Sequence, residues 1–315
     1  MRNPHFDDDL LVWDDDYSGR YQPPADGYGD QFDLQWQLCL DGKESFVRAP
    51  GAAVDDAAIA DRILEWTGEH SSYGASSAKA MGTRPLDFKL EVNLIAHKDC
   101  IDIGCGLGRW TRVMQKLGAR SVLSVDLSKS ALAGVSRFNQ NVLWADVTNL
   151  PAEHPELVNR FDFANLWGVA MHTHDPLKVF LSASATLKPG GALYLMVYAP
   201  EGMHNRSITN RQRKEFFRLA NLQEKLVYAD RVYDRRWDAS SPLMENLKNV
   251  LRNLVRRPKG SKLGVLDMLE PFYNWVIPFA VIEGWARKGG FSTMRLLNQF
   301  EPRKCAHHVL MLKSE

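Results

Sequence analysis

The amino-acid sequence predicts an α/β fold with a doubly wound, mostly parallel sheet. Three observations predict it. Between residues 100 and 198, strand-like apolar runs alternate with helix-like segments, which is typical of a parallel sheet covered by helices on both faces. A glycine-rich turn follows the first strand, and the chain closes with a helix and two strand-like runs. We therefore expect a parallel core completed by a C-terminal antiparallel hairpin, with a largely helical insertion between them.

The composition is that of an ordinary globular protein. Of 315 residues, 45% are hydrophobic and 24% are charged, and the formal net charge is +1. The apolar run Trp275–Ile282 has eight residues and contains Pro278, whereas a membrane span needs about 20. The acidic N-terminus lacks a signal-peptide pattern, and no two of the four cysteines form a CxxC pair. We expect a cytoplasmic protein without a transmembrane segment, metal site or disulfide framework.

Four regions are expected along the chain. Residues 1–50 form an acidic N-terminal arm, and residues 51–200 form the cofactor-binding core, which opens with a helix at about residues 54–66. Residues 201–276 form the helical insertion, called the lid below. Residues 277–315 supply the last helix and the hairpin that complete the core.

The arm is strongly acidic. Its first 35 residues contain nine aspartates and two arginines, a net charge of −7. Glycines and prolines predict an irregular path. We expect the arm to lie over the domain through its aromatic side chains, which are Trp13, Tyr17, Tyr21 and Tyr28.

The core elements follow from the apolar periodicity. The predicted strands are Cys100–Ile103, Ser121–Val125, Val142–Ala145, Phe161–Leu166 and Ala192–Tyr198, the last one entered through a turn at Lys188–Gly191. The predicted helices are Arg109–Leu117, Ser128–Arg137, Pro176–Leu187 and Phe279–Lys288. The hairpin strands are Phe291–Phe300 and Lys304–Leu312.

The turn after the first strand reads Cys100-Ile-Asp-Ile-Gly-Cys-Gly-Leu-Gly-Arg109. Gly104, Gly106 and Gly108 allow a tight turn where the backbone can approach a ligand, at the carboxyl end of a parallel strand. A dinucleotide loop of the form G-x-G-x-x-G needs glycine where this chain has Arg109. The turn therefore suits a ligand without a pyrophosphate, such as an adenosyl sulfonium.

Carboxylates also end the next two strands. Asp126, in Ser124-Val-Asp-Leu-Ser128, can accept hydrogen bonds from both hydroxyls of a ribose. Asp146, in Leu143-Trp-Ala-Asp-Val147, is placed to accept from an adenine amino group. Each aspartate taken alone could instead cap the helix that follows it. One such feature per strand, in this order, favours a Rossmann-like domain that binds a nucleoside.

These segments resemble the class I S-adenosylmethionine-dependent methyltransferases of the bacterial small-molecule and glycan type. The resemblance covers roughly residues 99–200 and rests on Ile-Asp-Ile-Gly-Cys-Gly-Leu-Gly, Ser-Val-Asp-Leu-Ser, Ala-Asp-Val-Thr-Asn-Leu-Pro, Phe-Asp-Phe-Ala-Asn-Leu-Trp-Gly-Val and Leu-Lys-Pro-Gly-Gly-Ala-Leu-Tyr. Phe32-Asp-Leu-Gln-Trp36 and Glu65-Trp-Thr-Gly68 look like the N-terminal segment of bacterial members, which often act on glycans, lipids or secondary metabolites.

The resemblance implies a Rossmann-like fold and S-adenosyl-L-methionine as cofactor. It implies that the glycine turn surrounds the methionine moiety, that Asp126 binds ribose, and that Asp146 binds adenine. The cofactor-binding residues that it implies are Asp102, Gly104, Cys105, Gly106, Gly108, Asp126, Leu127, Asp146, Val147, Asn165, Leu166 and Trp167.

A candidate base follows the fourth strand, in Trp167-Gly-Val-Ala-Met-His-Thr-His-Asp-Pro176. Related methyltransferases often carry two adjacent histidines before the Asp-Pro pair. Here Met171 replaces the first, His172 matches the second, and His174 stands at a usual proline position. Because histidine titrates near neutrality, His172 is the first choice for accepting the proton of the acceptor. It could instead pack beneath the cofactor or cap the next helix.

Further candidates end or follow the fifth strand, or lie where the lid returns to the core. We expect them to bind the acceptor, and they are Tyr198, Glu201, His204, Arg206 and Tyr273.

The lid carries excess positive charge. Between residues 203 and 262, fifteen lysines and arginines stand against six acidic residues, a net charge of +9. One interpretation is that Arg206, Arg211 and Arg213 bind an anionic acceptor. The other is that the acidic arm covers this basic surface and closes the cleft.

Apolar residues recur at helical spacing within the lid, and they are Leu243, Leu247, Val250, Leu251 and Leu254. This stripe predicts an ordinary amphipathic lid helix or, alternatively, a peripheral contact with an anionic membrane surface.

The sequence thus predicts an enzyme that transfers a methyl group from S-adenosylmethionine to oxygen or nitrogen of a small-molecule, sugar or lipid-linked acceptor, by in-line displacement. The alternative is a non-catalytic cofactor-binding or scaffold protein of the same fold. Nucleic acid is not an expected substrate, because the chain has no Asn-Pro-Pro-Tyr or Asp-Pro-Pro-Tyr tetrapeptide to hold a flipped base. The acceptor, the methylated atom and the oligomeric state stay open.

Overall fold

The structure, a computed structural model, describes residues 13, 32, 35, 36, 40, 92–200, 206–233, 243–255, 262–299 and 306–315. The helix expected at residues 54–66 and the arm residues Tyr17, Tyr21 and Tyr28 lie outside the described residues.

A seven-stranded sheet forms the centre of the described structure. Its strands are β1 Asp99–Ile103, β2 Ser121–Asp126, β3 Val142–Trp144, β4 Phe161–Trp167, β5 Leu187–Tyr198, β6 Phe291–Leu296 and β7 Ala306–Lys313. Their order across the sheet is β3-β2-β1-β4-β5-β7-β6. Strands β1 to β5 pair in parallel, and β7 pairs antiparallel with both β5 and β6. The predicted parallel core and edge hairpin are confirmed.

Helices cover the sheet and build the lid. They are α1 Arg109–Lys116, α2 Lys129–Val135, α3 Leu150–Glu153, α4 Pro176–Thr186, α5 Arg206–Phe216, α6 Leu222–Tyr233, α7 Leu243–Val255, α8 Lys262–Leu269 and α9 Phe279–Lys288. Short 3₁₀ turns occur at Val92–Leu94, Pro155–Leu157 and Ala170–His172. Within the described ranges, no helix combines the length and the apolar character that crossing a bilayer requires.

The beginning of β5 differs from the sequence prediction. Lys188–Gly191, expected as a turn, belongs to β5, which starts at Leu187. The register explains why: β5 advances five residues between its pairings with Phe161 and Phe163, so β5 bulges there. Gly190 accommodates the bulge with a φ of 72°.

The core fills both faces of the sheet. Along β5, Leu193 and Leu195 join one apolar cluster, whereas Ala192 and Tyr194 join another. This alternation places successive side chains on opposite faces, as a doubly covered sheet requires. Because both faces are covered, the carboxyl edge of the parallel strands is left as the place for a ligand.

Trp13 ties the N-terminal arm to the core. Its side chain is completely buried, and its ring meets Trp275 edge-on at 5.0 Å between centroids. Its backbone N–H donates to the carbonyl oxygen of Val276 at 2.9 Å. At this residue the arm lies against the domain, as the sequence predicts.

The lid packs onto the glycine turn. Helices α5, α6 and α8 bury a cluster that includes Phe216, Tyr228 and Leu266, and Leu107 of the turn packs against it. The lid therefore sits directly above the turn that follows β1.

The guanidinium of Arg213 binds backbone carbonyl groups at the end of α8 instead of an anion. Its side chain is fully buried. Its guanidinium donates to the carbonyl oxygens of Met268 at 2.8 Å and Leu269 at 3.4 Å, and also to those of Pro271 and Phe272. The expectation that Arg213 binds an anionic acceptor is wrong, because backbone carbonyls at a helix C-terminus take up its donors.

Helix α7 is amphipathic, but its apolar face is exposed. Leu243, Leu247, Val250 and Leu251 are between 43% and 64% exposed, whereas Asn246 is buried. The predicted amphipathic lid helix is therefore present, and its described apolar side chains lie exposed.

Candidate active site

A pocket with a cavity volume of about 250 Å³ lies at the carboxyl ends of the parallel strands. One half is lined by the glycine turn and by residues that end or follow β2 and β3. The other half is lined by residues that follow β4, by the end of β5, by α8 and by the N-terminal segment. The two halves meet above the middle of the sheet.

The glycine turn adopts backbone conformations that other residues rarely take. Gly104 and Gly106 line the pocket with φ values of 70° and 52°. A Cβ atom on Gly104 would lie 2.3 Å from the side chain of Val169, and one on Gly106 would lie 3.0 Å from the ring of Trp36. Glycine is thus required both for φ and for space. Gly108 precedes α1 and lies outside the lining.

Asp126 fastens the turn to β2. Its Oδ2 accepts the backbone N–H of Gly106 at 2.7 Å, and its Oδ1 accepts that of Ser128 at 2.8 Å. The side chain lines the pocket and keeps some exposure, yet the surrounding protein desolvates it and raises its pKa to about 6. The helix-cap alternative does not hold, because the N-cap of α2 is Ser128, whose hydroxyl accepts the N–H of Ala131.

Asp146 occupies the matching position after β3. It lines the pocket beside Val147, and its Oδ1 accepts the N–H of Thr148 at 2.8 Å. The N-cap of α3 is Asn149, so Asp146 is not the helix cap either. Leu127, Cys105 and Trp167 also line the pocket.

Some predicted cofactor residues lie beneath the pocket. Asp102 is 1% exposed and accepts from Thr111 Oγ1 at 2.7 Å and from Asn165 Nδ2 at 2.8 Å. Burial raises the pKa of the Asp102 carboxyl. The two hydrogen bonds of Asp102 connect β1 with α1 and β4 below the glycine turn, and so support the floor of the pocket. Asp102, Asn165 and the buried Leu166 are absent from the described lining.

His172 lines the other half of the pocket with a defined orientation. Its Nδ1 lies 3.0 Å from the carbonyl oxygen of Tyr273, and its ring meets Phe32 and Tyr198 edge-on at 5.4 and 5.5 Å. A carbonyl oxygen can only accept, so Nδ1 carries the proton and, in the neutral ring, Nε2 carries the lone pair. The N-cap of α4 is Asp175, which excludes the capping alternative for His172.

Of the remaining residues predicted to bind the acceptor, one lines the pocket and the others do not or are not described. Tyr198 lines the pocket, and its hydroxyl donates to Asp267 Oδ2 at 3.3 Å. Tyr273 is completely buried and outside the lining, and it acts through its backbone on His172. Glu201 and His204 lie outside the described residues, and Arg206 begins α5 with a side chain that is not described.

The lining residues that sequence reasoning missed include Phe32, Trp36, Arg109 and Asp267. The spacing of Phe32 and Trp36 was a usable signal, because residues four apart share a helix face, and their rings stack at 6.1 Å. Arg109 lies with its guanidinium carbon 5.7 Å from the ring centre of Trp167.

The charges of the described lining are mostly negative. Asp126, Asp146 and Asp267 contribute carboxylates and Arg109 contributes a guanidinium, whereas Arg211 lies outside the lining. The described lining therefore offers an anion little electrostatic attraction.

A family model described as a methyltransferase domain matches residues 79–234. The chain is 32% identical over 105 residues to the ubiquinone biosynthesis O-methyltransferase of Pseudomonas aeruginosa (strain LESB58), a match that covers 32% of this chain and 44% of that protein. It is 33% identical over 102 residues to the protein of the same name from Xanthomonas campestris pv. campestris (strain B100), covering 30% and 41%. The chain thus spans less than half the length of these curated relatives.

Solved structures also match. A SAM-dependent methyltransferase from Archaeoglobus fulgidus is 11% identical, with a TM-score of 0.43, over 80% of this chain and 98% of that one. PKMT2 from Rickettsia typhi in complex with AdoHcy is 15% identical, with a TM-score of 0.46, over 70% of this chain and 51% of that one.

Proposed function

We propose that this chain is a class I S-adenosylmethionine-dependent methyltransferase that transfers the cofactor's methyl group to oxygen or nitrogen of a small-molecule, sugar or lipid-linked acceptor. The observation that carries the proposal is the turn after β1, where Gly104 and Gly106 hold left-handed φ values and Asp126 accepts the Gly106 N–H at 2.7 Å. This arrangement supports binding of a nucleoside whose ribose donates to Asp126.

The residues present fit the cofactor. Gly104 and Gly106 expose backbone to the pocket, and a Cβ atom on either would collide with Val169 or Trp36, which line the same pocket. Carboxylates at Asp126 and Asp146 offer acceptors at the ends of two neighbouring strands, for ribose hydroxyls and an adenine amino group. The lining of this half also contains the apolar Leu127 and Val147.

When bound, S-adenosylmethionine supplies an electrophilic methyl group on a positively charged sulfur. The chain's own part is to orient the acceptor and exclude water. Phe32, Trp36 and Trp167 present aromatic surface to the pocket, which displaces water from the reacting groups.

His172 is the proposed general base. The carbonyl oxygen of Tyr273 fixes its tautomer, so Nε2 of the neutral ring can accept the proton that an acceptor hydroxyl or ammonium loses. His172 contacts Tyr198 at the end of β5, in the half of the pocket opposite the glycine turn, which we call the acceptor half.

A radiolabelled-methyl transfer screen over sugars, phenols and amines tests the activity directly. Transfer above that of the His172→Ala variant supports the enzyme. Binding of S-adenosylhomocysteine without transfer to any acceptor class would favour the non-catalytic scaffold. The proposed location is the cytoplasm, consistent with the free buried thiols of Cys100 and Cys105.

Helix α7 supports a peripheral membrane contact with anionic lipid. Its exposed apolar side chains are Leu243, Met244, Leu247, Val250 and Leu251, and Lys248 is exposed on the same helix. The sequence here is basic, with Arg252 in α7 and Arg256, Arg257 and Lys259 beyond its last described residue. An exposed apolar face beside cations suits the interface of a negatively charged bilayer.

Vesicle co-sedimentation tests this contact. We expect binding to vesicles containing phosphatidylglycerol and loss of binding in the Leu247→Glu/Leu251→Glu variant, whereas phosphatidylcholine vesicles bind weakly. Equal sedimentation of the variant with the anionic vesicles would contradict it.

A further inference from the structure

Asp267 connects the lid to the acceptor half of the pocket. Among the described lid residues, it is the one that lines the pocket. Its neighbours on α8, Leu266 and Leu269, are buried in the lid cluster. Helix α8 thus turns its apolar side chains into the lid and presents a carboxylate to the cavity.

The carboxylate has more accepting capacity than the protein uses. Within the described ranges, Asp267 accepts one side-chain hydrogen bond, from the Tyr198 hydroxyl to Oδ2 at 3.3 Å, and forms no salt bridge. An ionised carboxylate offers about four acceptor sites. A partly buried carboxylate without a cationic partner is stabilised when a ligand supplies donors.

Tyr198 places this carboxylate next to the proposed base. Its ring meets the His172 ring at 5.5 Å, and its hydroxyl reaches Asp267. His172 and Asp267 therefore flank one tyrosine and face the same half of the pocket. A molecule that directs one ionisable group at His172 can direct a neighbouring donor at Asp267.

We propose that Asp267 recognises the acceptor and selects molecules that carry a second hydrogen-bond donor, a hydroxyl or an amine, close to the atom that is methylated. The inference rests on the proposed function and narrows its substrate class. It also excludes phosphate or carboxylate as the group next to the methylated atom, because Asp267 would repel it. The proton of the methylated group goes to His172, and the second donor stays bound to Asp267.

A fragment-binding experiment tests the selection without requiring turnover. Wild-type protein with S-adenosylhomocysteine is screened by ligand-observed NMR against matched sets of vicinal diols, vicinal amino alcohols, mono-alcohols and organic phosphates. We expect preferential binding of diols or amino alcohols and about a tenfold loss of their affinity in Asp267→Asn. The amide can still accept from Tyr198 but lacks the charge that strengthens a ligand's hydrogen bonds. The diol and amino-alcohol sets distinguish a hydroxyl from an amine as the second donor.

Asp230→Asn on α6 is the matched control, since it removes the same charge from the lid outside the pocket lining. Tyr198→Phe should weaken the selectivity less than Asp267→Asn. It removes only the hydroxyl that holds the Asp267 carboxylate, whereas the carboxylate itself remains. Equal affinities in Asp267→Asn and wild type, preferential binding of mono-alcohols or phosphates, or no bound fragment of either donor class would overturn the inference. Failure of the proposed function has a different signature, namely no binding of S-adenosylhomocysteine.

Discussion

The backbone carbonyl oxygen of Tyr273 lies 3.0 Å from Nδ1 of His172 and so assigns the ring proton to that nitrogen. These residues are 101 positions apart in sequence, and the contact joins the segment after β4 to the segment that brings the lid back to the core. The lid thereby fixes the tautomer of the proposed base, so that Nε2 of the neutral ring is the nitrogen that can accept a proton.

Replacing His172 by alanine should lower turnover on a true acceptor by about 100- to 10,000-fold, the usual contribution of a general base. Affinity for S-adenosylhomocysteine should change little, because His172 lies in the other half of the pocket. Steady-state rates and calorimetry measure the two quantities. His174→Ala is the matched control, since His174 lies outside the lining. Wild-type turnover in the His172 variant would remove it from the mechanism.

Replacing Gly106 by valine should abolish measurable binding of S-adenosylhomocysteine. The side chain would start 3.0 Å from the Trp36 ring, at a φ of 52°. Gly190→Val is the matched control: Gly190 has a φ of 72°, but a Cβ atom there would meet nothing within 4 Å. Both variants should lose stability, and only the first should lose the ligand, as calorimetry on the folded fractions would show. Retained affinity in Gly106→Val would contradict the proposed approach of the ligand.

Affinity for S-adenosylhomocysteine should weaken as the pH falls through about 6. Desolvation raises the pKa of Asp126 to about 6, so the free protein protonates this carboxyl below that pH. Ribose hydroxyls need an acceptor, and binding should therefore favour the ionised form and release a proton near pH 5.5. Calorimetry in buffers of different ionisation enthalpy measures that proton. Asp126→Asn should remove the pH step, and a flat wild-type affinity between pH 5 and 7 would rule out the ribose assignment.

Replacing Arg213 by alanine should loosen the lid. It would leave the carbonyl groups of Met268 and Leu269 without the charged donor that now satisfies them, which lowers local stability by roughly 2 kcal/mol or more. Hydrogen exchange should accelerate in α5 and α8 and stay unchanged in β1 and β4. Arg218→Ala is the control, because Arg218 is exposed on the same lid. Unchanged exchange in α8 would show that Arg213 does not hold it.

The sequence predicted what depends on local pattern. The parallel strands, the glycine turn, and the carboxylates at Asp126 and Asp146 follow from periodicity and from the topology of parallel sheets, which brings strand ends to one edge. His172 was chosen from the resemblance and from its place in the segment after β4; it lines the pocket, and its role as the base stays a prediction.

What the sequence did not predict depends on tertiary contacts. Asp267 reaches the pocket because α8 packs through Leu266 and Leu269, and no local pattern shows where that helix docks. Arg213 looked like a surface cation, and only the fold shows the carbonyl groups around it. Asp102 carries the family signal but lies under the turn, so position in a motif did not reveal which atoms face the ligand.

Calorimetric titration of the 315-residue chain with S-adenosylhomocysteine, beside its Asp126→Ala variant, tests the central claim most directly. We predict that the wild-type protein binds and that the folded variant binds about 1–3 kcal/mol more weakly, the scale for leaving buried polar partners unsatisfied. Absence of binding to the wild-type protein, or equal affinity in the folded variant, would contradict the assignment of this pocket to the cofactor.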